Sequence, residues 1–176
     1  WSSIGSMSLS TSGIKAVAVC TIDEKITVFM SQPIFGFSYT VLGELKNVWK
    51  DVNGGFEKVK TQTYPDEISD IMPVVFTNAE GNLITEIFVS QTFMPNIYRF
   101  NWNTKRAELL YKGKEPLDTI DGLFWTGSEI LYTRPGEIAS FNPTTLSLGN
   151  IPKDYYNLKK SFGALAPKDT LYSAWF

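Results

Sequence analysis

The chain has 176 residues, 43% of them hydrophobic and 14% aromatic, and its 16 Lys and Arg against 18 Asp and Glu leave a net charge of -2. This composition suits a folded single domain rather than a disordered chain, and its only adjacent basic pairs, Lys105-Arg106 and Lys159-Lys160, form no stripe for a nucleic-acid backbone. Histidine is absent, which removes Ser-His-Asp and Cys-His nucleophiles and histidine-ligated metal centres, and no run approaches the roughly 18 apolar residues of a membrane helix.

The first pattern in chain order is a lone strand over residues 1–10. Ile14 to Cys20 is nearly continuous in apolar character, as expected of a strand covered on both faces. A turn at Ile22-Asp23-Glu24-Lys25 leads to a second strand, Ile26 to Gln32, which reverses through Pro33 to Gly36. The polar stretch from Asp51 to Asp70, carrying Asn53-Gly54-Gly55 and Tyr64-Pro65-Asp66, is an insertion. Gly54-Gly55 has no following Lys-Ser/Thr and so reads as a hairpin tip or flexible insertion rather than a phosphate loop.

The strand pattern then returns. Ile71 to Phe76, a turn at Asn78 to Asn82, and Ile84 to Gln91 match the earlier strands about 58 residues on. Reversal at Met94-Pro95-Asn96 leads into Ile97-Tyr98-Arg99-Phe100-Asn101-Trp102-Asn103-Thr104, and a weaker strand, Ala107 to Tyr111, follows. Gly122 to Trp125, a turn at Thr126 to Glu129, and Ile130 to Tyr132 come next. After the Pro135-Gly136 turn, Ile138-Ala139-Ser140-Phe141-Asn142-Pro143-Thr144-Thr145 repeats the motif Ile-x-x-Phe-Asn-x-x-Thr at an offset of 41. Leu146 to Ile151 is its weaker fourth strand. Gly163 to Ala166, a turn, and Thr170-Leu171-Tyr172 begin the pattern again.

Four short strands in about 40 to 45 residues describe a propeller blade. The expectation is therefore an all-β chain: a single β-propeller domain over residues 1–176, of about four four-stranded antiparallel blades, with the insertion at 51–70. In this reading the N-terminal strand closes the last blade and removes two sheet edges. The equal alternative is a piece of a larger propeller completed by another chain.

Chemistry-bearing residues are sparse. Cys20 reads as a packed, inert thiol. Asp23-Glu24 and Asn78 to Asn82 offer oxygen ligands but lack the spacing of a dedicated calcium loop, so no metal and no cofactor is assigned. Asp121, Glu129 and Glu137 are candidate carboxylates for a glycoside hydrolase, although turn acids more commonly bond local backbone. No catalytic residue is assigned. Trp102 stands where the sister repeat has Pro143, so the blade itself does not require an aromatic there. With Arg99 and the turn residue Arg134, it forms the candidate ligand-binding set, since a planar donor beside an indole suits a sugar or carboxylate, the alternative being that Trp102 covers an adjacent blade. Trp125 reads as core, with pocket lining as the alternative, and Trp1, Trp49 and Trp175 as packing between blades.

The Ile-x-x-Phe-Asn-x-x-Thr motif with Glu129-Ile130-Leu131-Tyr132 resembles the broad propeller group of quinoprotein-like and YWTD-like blades. The resemblance covers about three repeats and implies a fold. It carries over no ligand, because the Gly usual after the turn Thr is replaced here and no Tyr-Trp-Thr-Asp string is present. Trp1 to Gly5 with Ile14 to Ala18 more distantly resembles fungal fucose-lectin blades, with Lys25 or Thr27 in place of the lectin's Arg. The expected function is non-catalytic recognition of a protein or other macromolecule across a rim of the insertion and strand-connecting loops. Alternatives are a carbohydrate-binding module using Trp102 and Arg99, and a carboxylate enzyme or enzyme fragment. The compartment is left open, leaning extracellular.

Overall fold

The computed structural model describes residues 13–32, 36–44, 49–58, 68–77, 80–91, 94–113, 120, 122–134 and 137–149. The expected strand at 1–10, the repeat beginning at Gly163, the Tyr64-Pro65-Asp66 and Pro135-Gly136 turns, Asp121, Trp1 and Trp175 lie outside the described residues. Within them the chain is all-β, with three four-stranded antiparallel sheets built from sequential strands and no helix. No helix among the described residues is long and apolar enough to cross a membrane.

The first sheet contains β1 (Ala16–Ile22), β2 (Lys25–Gln32), β3 (Gly36–Val41) and β4 (Lys50–Asp51). The second contains β5 (Ile68–Thr77), β6 (Leu83–Gln91), β7 (Asn96–Asn101) and β8 (Arg106–Lys112). The third contains β9 (Leu123–Trp125), β10 (Ile130–Arg134), β11 (Glu137–Asn142) and β12 (Ser147–Gly149). Their first strands are neighbours in sequence order, β1 beside β5 and β5 beside β9.

The repeated motif has a local cause. Ile97 to Asn101 lies in β7 and Ile138 to Asn142 in β11, and each strand ends in a turn closed by its Asn side chain. Asn101 Oδ1 accepts the Thr104 N–H at 3.0 Å, and Asn142 Oδ1 accepts those of Thr144 and Thr145, both at 2.9 Å. This is the turn chemistry that selects Asn. The residue after the final Thr is left-handed in both copies, Lys105 at φ 54° and Leu146 at φ 56°. These are the positions where glycine would be strain-free. The β1–β2 hairpin turns on Asp23 and Glu24, both also at positive φ, as a two-residue hairpin with the favoured twist requires.

Alternation decides which residues face which sheet. From β2 and β3, Phe29, Phe37 and Tyr39 meet Ile87, Val89, Tyr98 and Phe100 of the second sheet. On the opposite side of the second sheet, Phe88 and Ile97 join Ile130, Tyr132 and Phe141 of the third. The second sheet is thus buried on both faces, and each such side chain contributes about 1.5–3 kcal/mol by leaving water. In β1 the expectation of burial on both faces is not met. Ala16, Ala18 and Ile22 are buried, whereas Val17 and Val19 on the alternate face are 55% and 60% exposed. The second sheet covers only one side of the first.

The insertion also differs from a free loop over its described part. Val52 and Phe56 enter the core, with Phe56 edge-on to Phe37 at 5.6 Å and to Tyr98 at 4.9 Å. Gly54 is held by its carbonyl, which accepts the Ala107 N–H at 2.8 Å, so Gly54-Gly55 is docked on β8 instead of forming a flexible tip.

Candidate functional site

Trp102 occupies the turn between β7 and β8 and is half-buried. Its ring stands edge-on to Tyr39 at 4.9 Å and to Phe29 at 6.0 Å, and its indole N–H donates to Asp23 Oδ2 at 3.1 Å. The Lys105 ammonium covers the indole and lies 5.1 Å from the Tyr39 ring centre. Burial pushes the Lys105 pKa down to about 8, against an upward pull from Asp23 and a further downward push from Lys50. The tryptophan therefore stands between the first and second sheets as a wall shared by two cavities, one of about 660 Å³ that includes Leu83 and Thr85 and one of about 140 Å³ that includes Thr27 and Lys50.

Arg99 lies on the other side of the second sheet. In β7, Tyr98 and Phe100 face the first sheet while Ile97 and Arg99 face the third, so the sheet separates Arg99 from Trp102. The guanidinium is held by Glu108 at 2.9 Å and Glu86 at 3.4 Å. The hydrogen bond to Glu108 leads the causes that raise its pKa, with burial opposing. Arg134 ends β10 opposite Glu137, at the far end of the third sheet from the Asn142 turn. The three residues singled out from sequence are not brought together.

What the structure does bring together is Arg99 and Trp125. Both line a groove of about 770 Å³ between the second and third sheets, with Glu86, Glu108, Leu110 and Pro143 among the other walls. Trp125 is half-buried and stacks on Phe88, with ring centres 6.1 Å apart at 14°. Pro143 lines this groove where the neighbouring junction has Trp102, beside which the space bounded by Thr27, Tyr39 and Lys50 is only about 140 Å³. The signal available in sequence was strand parity: Arg99 and Phe100 alternate, and Trp102 shares the parity of Phe100.

Of the candidate acids, Asp121 lies outside the described residues. Glu129 belongs to a turn in which its N–H donates to Thr126 Oγ1 at 3.0 Å and its carbonyl accepts the Thr126 N–H at 3.0 Å. Among the described residues, no three His, Cys, Asp or Glu side chains are grouped so as to hold a metal ion. Cys20 is half-buried against the first core, and burial raises its thiol pKa to about 11, far from a reactive thiolate.

A buried polar cluster at the other end of the second sheet was not anticipated. The Tyr98 hydroxyl donates to Gln91 Oε1 at 2.6 Å and accepts from Asn96 Nδ2 at 2.9 Å and the Glu57 N–H at 3.1 Å. Gln91 Nε2 donates to the Glu57 carbonyl at 3.1 Å, and Lys112 reaches the Glu57 carboxylate at 2.6 Å. The cluster fixes the inserted segment to the second sheet. Gln32, the repeat counterpart of Gln91, is 3% exposed with neither amide atom paired. Gly36 and Ser38 stand there in place of Asn96 and Tyr98 and supply no equivalent groups.

No protein-family model matches the chain, and no curated protein matches it in sequence.

Proposed function

We propose that the three sheets are consecutive blades of a β-propeller and that the chain is a non-catalytic recognition module for a protein partner, engaged in the groove between the second and third sheets. The succession of neighbouring first strands, β1 to β5 to β9, supports the blade arrangement. The observation that carries the functional reading is the groove itself. It offers the half-buried face of Trp125 and the side chain of Leu110 beside a charged triplet, Glu86, Arg99 and Glu108, in which carboxylates outnumber the guanidinium. An aromatic and aliphatic floor with a charged rim is the usual anatomy of a protein-binding patch. The excess carboxylate, with Glu108 exposed, suits a partner segment bearing Lys or Arg. The Trp102 and Arg99 pairing required by a sugar site of the expected kind is divided by the second sheet, which favours the protein reading.

Ser128 and Thr144 are exposed residues on the groove's rim. Replacing both with Arg should fill the mouth and oppose a basic partner, lowering affinity about 100-fold with the fold intact. Replacing the exposed Leu83, beside the other groove, with Arg should leave binding unchanged. Equal binding by the two variants would refute the assignment, and loss of wild-type capture to a free sugar would return the site to the carbohydrate reading.

A further inference from the structure

Strand alternation gathers one set of side chains at the hairpin end of the first sheet. Thr27 pairs with Val41 across β2 and β3, and Tyr39, two residues before Val41, pairs with Lys50 of β4. All four therefore share one face, the face that Trp102 of the second sheet meets through Tyr39. Together with Trp102 they bound the cavity of about 140 Å³. That volume is below the roughly 300 Å³ at which pockets for drug-sized ligands begin, so it suits a small molecule.

The inner walls are buried and the rim is charged. Thr27 is fully buried, and its hydroxyl oxygen has no hydrogen-bond partner. A hydroxyl in that state is costly unless something bonds it. Beside it Tyr39 and Val41 are each 6% exposed. The titratable side chains around the cavity are Asp23 and Lys25 from the β1–β2 hairpin, Glu44 after β3, and Lys50 of β4. Lys105 approaches from the β7–β8 turn, and the Lys50 and Lys105 ammonium groups lie 5.6 Å and 5.1 Å from the centre of the Tyr39 ring. Both acids are engaged, Asp23 by the Trp102 indole N–H at 3.1 Å and Glu44 by Lys50 at 3.5 Å. Three ammonium groups thus face two carboxylates. Burial first, and the Lys50 charge after it, hold Lys105 down at about 8 against the pull of Asp23. An added negative charge would relieve that crowding.

We propose that this cavity binds a small organic carboxylate, with the Thr27 hydroxyl donating to a carboxylate oxygen, the Lys50 ammonium neutralising it, and its short apolar stem lying against Tyr39, Val41 and Trp102. Lys105 adds to the positive field. The site is separate from the groove between the second and third sheets, and it requires neither the protein-binding reading nor the propeller reading. Its chemistry favours a carboxylate over a phosphate. Phosphate is held by bidentate arginines or by rows of main-chain N–H groups, and no arginine is among the described residues lining this cavity. One hydroxyl and one ammonium on an aromatic and aliphatic wall match two oxygens on an apolar stem.

NMR titration of the full chain with propionate, compared with inorganic phosphate, tests the assignment. At pH 7 the Thr27 methyl and Trp102 indole resonances should shift saturably with propionate. Affinity should fall about three-fold or more between pH 7 and pH 9, because the anion binds better while Lys105 keeps its proton. Thr27→Val keeps the shape and removes the hydroxyl, so it should weaken binding roughly ten-fold while leaving the free protein at least as stable in urea. Lys50→Gln should weaken binding by a similar factor, about ten-fold. Any of four results would overturn the proposal: shifts that never saturate, affinity unchanged between pH 7 and pH 9, phosphate bound as tightly as propionate, or Thr27→Val binding like the wild type. Loss of stability in Thr27→Val would overturn it as well, since the hydroxyl would then be bonded within the fold.

Discussion

Two glycines with the same backbone conformation and different surroundings separate the cost of a left-handed residue from the cost of lost docking. Gly55 has φ +89° and Gly81 has φ +83°. A side chain at either position incurs the left-handed penalty of roughly 1–2 kcal/mol, partly offset by about 0.4–1 kcal/mol from a stiffer unfolded chain. At Gly81 nothing lies within 4 Å of an added Cβ, so Gly81→Ala should cost about 1 kcal/mol. At Gly55 the Cβ would fall 1.9 Å from the Ala107 carbonyl oxygen and 2.8 Å from its carbon. That backbone cannot yield, because Ala107 is paired with Phe100 within the second sheet. The inserted segment must instead lift away, breaking the Ala107 to Gly54 hydrogen bond at a cost of about 0.5–1.5 kcal/mol and withdrawing part of Phe56 from the core at about 2 kcal/mol. Gly55→Ala should therefore cost about 3–5 kcal/mol in all. Urea unfolding of both variants measures the difference, and losses within about 0.5 kcal/mol of each other would refute the docked arrangement of residues 52–56.

The other left-handed positions give a prediction of opposite sign. Leu146 is 58% exposed at φ 56°, so Leu146→Gly should raise stability by up to about 1 kcal/mol in the same assay, and a clear loss would mean that the leucine is needed for packing. Lys105 predicts a pH dependence. Below pH 8 its burial penalty is fully present, because the folded and unfolded chains are both protonated. Between its folded value of about 8 and the ordinary 10.5 the unfolded chain binds more protons, so stability from this group rises with pH. Unfolding of wild type and Lys105→Gln at pH 7.5 and pH 10 should show the wild type gaining on the variant at the higher pH, and parallel behaviour would contradict the assigned burial.

Local grammar was legible in the sequence because it depends on near neighbours. The Asn-x-x-Thr turns, the hairpin at Asp23-Glu24 and the order of four strands per unit follow from hydrogen bonds and alternation within a few residues of each motif. The mismatch between Trp102 and Pro143 was also visible, and it does mark a difference between grooves. Packing chose between its two readings, placing Trp102 against the neighbouring sheet. Trp102 packs on Tyr39 and Phe29, and the groove of the protein-binding reading lies beside Pro143, where Arg99 and Trp125, 26 positions apart in sequence, line the same walls. The described part of the insertion was misread for the same reason: polar composition from Asp51 onward says nothing of Phe56 finding Phe37 and Tyr98, or of Gly55 finding the backbone of Ala107.

Sequence alone determined the strand content, the repeat and the turns, since each is set by backbone preferences and side-chain periodicity over short spans. Tertiary structure alone decided which face of each sheet is covered, which groove stays open and which buried hydroxyls find partners. Those outcomes depend on side chains distant in sequence competing for the same volume, and strand parity converts a shift of a single residue into a change of sides.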